Sequence, residues 1–195
     1  MPRRTRPLNM FTAPFHALKR VIQAILFVLN MSRSPGGVKR LDLPTLLKHL
    51  EDKSGKKLKI DTFDDRLRIQ KAIYLLGAMG HPGARRYKFG MYVHGPYSSD
   101  LAKDYYALQE NKPLAKVVTQ SGPRDETAEQ IVAEAIQRGN KFLEATATLH
   151  KVRVANPTST KEAVEKIVLG LKPHVKDTVG EAWTFLQHHK IAAAT

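Results

Sequence analysis

The sequence contains no cysteine. That absence excludes a disulfide framework, a cysteine nucleophile and a thiolate zinc site, so metal chemistry would have to rest on histidine and carboxylate, and a reducing interior is permitted. Long apolar runs are missing too. The run VIQAILFVLN (21–30) is far too short to span a bilayer, and the MSRSPGG behind it lacks the small-residue cleavage pattern of a secretory signal. No integral membrane association is expected, and a cytoplasmic location is. Acidic residues are absent from positions 1–40, which hold eight Lys/Arg and so carry +8 of the formal +14. The remaining +6 is spread over residues 41–195, where 24 basic residues face 18 acidic ones. Overall basicity invites a nucleic-acid reading, because phosphates release counterions to any positive stripe, but most of the invitation comes from the leader.

Three readings of the leader stay open. It is a basic amphipathic helix for a membrane surface or partner, a peripheral helix on the domain, or sequence upstream of a true start at Met31. The expected organisation is a basic leader and linker at 1–40, a domain at 41–190 and a frayed tail at 191–195. At 195 residues and 42% hydrophobic content, the chain suffices for one domain with a real core.

Periodicity predicts the elements. Leu43, Leu46, Leu47 and Leu50 repeat at helical spacing behind Asp42 and Pro44, and the helix ends near SGKK. From Asp64, Leu67, Ile69, Ala72, Ile73, Leu75, Leu76 and Met79 form a broad apolar face closed by Gly80 and Pro82. RYKFGMYVHG alternates Tyr87, Phe89, Met91 and Val93 against polar positions, as a half-buried strand does, and LAKVVT (114–119) supplies a second strand to pair with it. Between them a helix runs from about Ser98 to Asn111. From Glu126 a single long helix steps through Ala128, Val132, Ala135, Gly139, Phe142, Thr146 and Leu149 towards Val152. Ser159 and Glu162 have capping-box spacing before a face of Ala163, Val164, Ile167, Val168 and Leu171, and Val175, Val179, Ala182 and Leu186 mark a last helix carrying Trp183. The fold class is therefore mainly α, a single helical domain with a small antiparallel β-ribbon that has a winged-helix-like alternative.

The decamer YVHGPYSSDL (92–101) concentrates chemistry. Turn formation accounts for part of it: Gly95 can take a positive φ, Pro96 fixes the next φ, Ser98 or Ser99 can cap a helix, and Asp100 suits its dipole. Tyr92, His94 and Tyr97 exceed what a turn needs. They are either packing groups or a recognition surface.

RIQKAIYLLGAMG followed by YKFGMYVHGPYSSDLAKDYYAL resembles the Leu-Gln-Lys helix and the Tyr-x-x-Gly-Pro-Tyr-Ser turn of YwgA-like proteins, related to the SocA or Panacea group of antitoxin-like domains. FLEATATLH, LKPHV and EAWTFLQHHKI fit the same pattern, so the similarity spans roughly residues 60–190. The resemblance implies a compact, mainly helical domain with a small ribbon, without known catalysis, that acts by binding a toxin-like or regulatory protein.

No sequence signature of catalysis competes with this. G-x-S-x-G, G-x-G-x-x-G, a Walker loop and H-E-x-x-H are all missing, and no cofactor or metal is expected. Adjacent His188 and His189 point about 100° apart on a helix and do not readily share a metal. The nearest nuclease imitation is Asp42 with Glu51, Asp52 and Lys53, a D…E-x-K arrangement set at a helix end where that chemistry uses a strand. Asp64 is placed to pair with Arg68. Arg66, Arg68, Lys71, Arg85, Arg86 and Lys88 could track phosphates beside the ribbon, or form a solvated basic face.

The sequence thus predicts a non-enzymatic, antitoxin-like module working through protein–protein interaction. Its expected surface is Tyr92, His94, Gly95, Pro96, Tyr97, Ser98 and Asp100 with Arg68 and Lys71. A DNA-binding regulator is the alternative, and a metal-dependent nuclease a distant third.

Overall fold

The computed structural model of the chain describes residues 42–111 and 124–191. The expected leader helix and the expected strand at 114–119 lie outside them. The described residues are mainly helical, with seven α-helices and one two-stranded antiparallel sheet. No helix among them is long and apolar enough to cross a membrane.

Helix α1 (Leu43–Ser54) starts where the Asp42 carboxylate accepts from the Thr45 amide at 3.0 Å, and stops at Gly55, whose φ of 68° leaves the helical region. Its leucines 43, 46, 47 and 50 are all buried and face α4 (Glu126–Gln137). Helix α2 (Phe63–Ala78) opens on a reciprocal cap between Thr62 and Asp65. Arg68 therefore pairs with Asp65 at 3.3 Å, rather than with Asp64, because the capping geometry draws Asp65 back along the first turn.

The long helix expected from Glu126 is two. Gly139 takes φ 100°, which no right-handed helix accommodates, so α4 ends and α5 (Asn140–Ala155) begins beyond it. Helix α5 is the centre of the domain. It is buried at every position from Phe142 to His150, since α2, α6 (Lys161–Leu171), α7 (Lys176–His188) and the sheet all pack on it. Thr160, one residue later than expected, caps α6 by accepting from the Ala163 amide. This helix lies on the bundle through a narrow stripe, Val164 and Val168, and leaves Ile167 and Leu171 exposed. Val175, Val179, Ala182 and Leu186 are buried as the spacing predicts, and Phe185 meets Phe142 edge-on. Ile191 is buried as well.

The ribbon is shorter than the alternation suggests. Strand β1 is Gly90–Tyr92, and its partner is β2, Gly95–Tyr97, with Tyr92 opposite Gly95 and Gly90 opposite Tyr97. Tyr87 is buried and Phe89 half-buried, but Met91 and Val93 are exposed, because the sheet leaves the core beyond Phe89. Helix α3 (Ser99–Gln109) follows β2 directly.

Candidate functional site

The hairpin closes on only two residues, Val93 and His94, before Gly95 takes φ 81°. Such a short closure needs a residue free to adopt positive φ, which is the role the sequence suggests for this glycine. A second constraint comes from below. A Cβ on Gly95 would lie 2.6 Å from the Thr148 Oγ1 of α5 and 3.5–3.6 Å from the side chains of Lys172 and Lys71. The hairpin is thus laid against the central helix at a spot where only glycine fits.

Buried polar groups hold it there. Gln70 of α2 makes two bonds to one residue: its Nε2 donates to the Ser98 carbonyl and its Oε1 accepts from the Ser98 amide, both at 2.9 Å. Its neighbour Lys71 donates from Nζ to the Pro96 carbonyl at 2.8 Å. Lys172, at the end of α6, donates to the Val93 carbonyl at 2.9 Å and to Glu144 Oε1 of α5, while His174 meets Glu144 Oε2 at 2.9 Å. Three carbonyls of the 93–98 segment, which a two-stranded ribbon cannot satisfy, therefore find side-chain donors inside the protein. Ser98 also caps α3, its hydroxyl accepting from the Leu101 amide. The Gln-Lys helix and the Gly-Pro-Tyr-Ser turn are one clamp.

The clamp sets unusual electrostatics. Lys71 is 1% exposed. Burial holds its ammonium down to about 7, with Lys172 adding to the effect and Glu144 opposing it. Burial works to raise the Glu144 carboxyl, but its bonds from Lys172 and His174 outweigh that and keep it below the usual range. Glu144 is thus committed to Lys172 and His174, and Lys71 has no carboxylate of its own.

Over this clamp opens a cleft of about 370 Å³ between the hairpin, the first half of α2 and α3. Its walls are Phe63, Tyr92, Val93, His94, Tyr97, Tyr105 and Tyr106, with Arg66, Gln70 and Lys71 among its polar lining. His94 meets Phe63 edge-on at 4.8 Å, and Tyr92 meets Tyr97 at 5.2 Å. Burial pushes the Tyr105 phenol up to about 12. Large apolar side chains reach solvent here: Phe63 is 51% exposed, Tyr92 61%, Val93 83% and Tyr106 44%.

The structure brings together Tyr92, His94, Gly95 and Tyr97 on the cleft, with Lys71 behind the hairpin rather than on an open surface. Pro96 and Ser98 are buried by the clamp. Asp100 stands outside it, exposed beside Lys103 at 3.3 Å. Arg68 is turned away, bonding Asn140 at 2.8 Å and Asp65. Of the other cations weighed for phosphate contact, Arg66 donates to the carbonyls of Ile60 and Asp61, and Arg86 is held by Tyr87 and Asp104. Arg85 and Lys88 are exposed. The D…E-x-K set is dispersed: Asp42 caps one end of α1, while near the other end Glu51 accepts from the Leu58 amide and Asp52 pairs with Lys48. Among the described residues no group of three or more His, Asp or Glu could hold a metal ion.

Phe63, Tyr105, Tyr106, Gln70 and the Glu144–Lys172 pair are absent from the residues that sequence reasoning selects. The Gln70-Lys71 dipeptide was the available signal, since two polar residues interrupt the broad apolar face of α2. A separate buried cluster joins α1, α4 and the turn after α2, where Glu129 accepts from Arg124 Nε and Nη2 and meets His49 at 3.2 Å, with His81 at 3.5 Å. It lies among packing elements rather than at an opening.

The domain is thus a helical bundle that presents an aromatic cleft built on a buried lysine–glutamine clamp. Compared with known protein families, curated proteins and solved structures, the chain gives no match.

Proposed function

We propose that this protein is a non-enzymatic, antitoxin-like binding module, working in the cytoplasm, that engages a protein partner through the aromatic cleft. The observation that carries the reading is the concentration of exposed aromatic and aliphatic side chains around one opening: Phe63, Tyr92, Val93 and Tyr106. A monomer rarely exposes such groups together, and partner-binding surfaces are enriched in tyrosine and phenylalanine. The clamp supports the same reading, because a preformed hairpin loses little further freedom on binding. Phosphate contact is less favoured as the main function, since Arg68 and Arg86 are each held by an aspartate and a second side chain of the domain.

The test is quantitative capture of partners from native cells by the full chain and by a Phe63→Ala/Tyr92→Ala variant. Both residues are more than half exposed, so the variant should keep the wild-type melting temperature. It should lose the specifically captured proteins. Retention of the same proteins at the same level would refute the cleft as the binding surface.

A further inference from the structure

Resting on the protein-binding reading above, we infer that the cleft takes an acidic peptide segment of the partner, whose apolar side chain fills the aromatic walls while a neighbouring Asp or Glu carboxylate meets Arg66, above the buried charge of Lys71. The walls specify the apolar half. The polar lining specifies the other: it offers Arg66, Lys71, His94 and Gln70, and no aspartate or glutamate among the described residues lines the cleft.

The donors are also underused. An ammonium carries three N–H groups, and the Lys71 ammonium has one protein acceptor, the Pro96 carbonyl. Arg66 engages two carbonyls through a single terminal nitrogen, leaving further N–H groups of its fork to donate to a carboxylate. Gln70 donates one bond to Ser98 and accepts one from it, and also meets Tyr105. A carboxylate supplies the remaining Arg66 donors with an acceptor and the site with its missing negative charge.

The charges facing Lys71 agree. Lys172 repels it, and Glu144 on α5 is held by Lys172 and His174. A carboxylate on Arg66 would add an anion whose field the buried Lys71 shares. A basic segment would meet Arg66 with no counter-charge, and the 24 basic against 18 acidic residues of positions 41–195 favour acidic partners.

A random peptide library displayed on phage, selected on the immobilised full chain, tests this. Selection should enrich an aromatic or aliphatic residue with Asp or Glu within about two positions, and Phe63→Ala/Tyr92→Ala should abolish the enrichment. For synthetic peptides of the enriched sequence, amidating the acids (Asp→Asn, Glu→Gln) should weaken binding by about tenfold or more, as followed by fluorescence polarisation. Against an Arg66→Gln protein with wild-type melting temperature, acid and amide peptides should differ much less. Cleft-dependent peptides without acids would overturn this inference while leaving the protein-binding reading intact. No cleft-dependent peptide at all, or cleft-dependent binding of a random single-stranded oligonucleotide instead, would overturn both.

Discussion

Replacing Gly95 with alanine puts the hairpin's seat on α5 to a direct test. Gly95 sits at φ 81°, where an alanine costs about 1–2 kcal/mol in backbone strain. The added methyl would also lie 2.6 Å from Thr148 Oγ1, too close for any real contact. Thr148 belongs to the fully buried face of the central helix, so it cannot swing into solvent, and overpacking of this kind costs about 1–3 kcal/mol. Together the single substitution should destabilise by about 2–5 kcal/mol. Thr148→Ala removes the clash. Because the Thr148 hydroxyl makes no hydrogen bond among the described residues, that change alone should cost only about 1 kcal/mol, the value of a lost buried methyl. Combined with Gly95→Ala it should recover the steric part, leaving a coupling of about 1–3 kcal/mol in a double-mutant cycle. Thr148→Val keeps the bulk and should give no rescue. Urea unfolding followed by far-UV circular dichroism measures all the variants. A Gly95→Ala protein within about 0.5 kcal/mol of wild type, or one equally unstable with and without Thr148→Ala, would refute the reasoning.

Lys71 makes the domain's stability depend on alkaline pH. Its ammonium titrates near 7 when folded, against an ordinary 10.5, so the unfolded chain holds more protons between those values and stability rises with pH there by up to about 1.4 kcal/mol per unit. Lys71→Met should flatten that rise in urea midpoints taken from pH 7 to 9; an unchanged slope would show that another group carries it. Above pH 10 the sign reverses, since the raised Tyr105 and Tyr74 phenols stay protonated in the fold while their unfolded counterparts ionise. Gln70→Ala leaves the buried Ser98 amide and carbonyl unmet and should cost about 2–4 kcal/mol, whereas Ser98→Ala, which removes only the cap, should cost about 1 kcal/mol. Equal effects of the two would argue against the clamp. Gly139→Ala meets no atom within 4 Å and should cost the backbone strain alone, about 1–2 kcal/mol, in the same assay.

Helix existence was legible because leucine and isoleucine recur at turns that all meet the same core: Leu43 to Leu50 and Ile69 to Leu76 are buried as their spacing predicts. The break at Gly139 was hidden, since a small residue fits an apolar stripe whether or not its φ is helical. The ribbon's partner was hidden for a different reason. Proline donates no ladder bond, so Gly-Pro-Tyr reads as turn, although here it pairs across three positions with Met91 opposite Pro96. Half of the site was readable from local chemistry: the positive φ of Gly95 and the Ser98 cap follow from residue type. Gln70, Glu144 and Lys172 were not, and Lys71 was read as a surface group, because polar residues on helices ordinarily face water and their burial is decided by elements far apart in the chain. The cleft itself assembles Phe63, Tyr92 and Tyr106 from three elements, a conjunction that no periodicity records.

The central claim, that this opening is where a partner protein docks, is tested most directly by site-specific photocrosslinking in native cells. A photoreactive phenylalanine analogue would be placed in turn at Tyr92, within the cleft, and at Leu171, an equally exposed apolar position on α6 outside it. The account predicts discrete protein adducts from position 92 that vanish when Phe63→Ala is added, and none from position 171. Adducts of equal yield from both positions, or nucleic acid in place of protein at position 92, would contradict it.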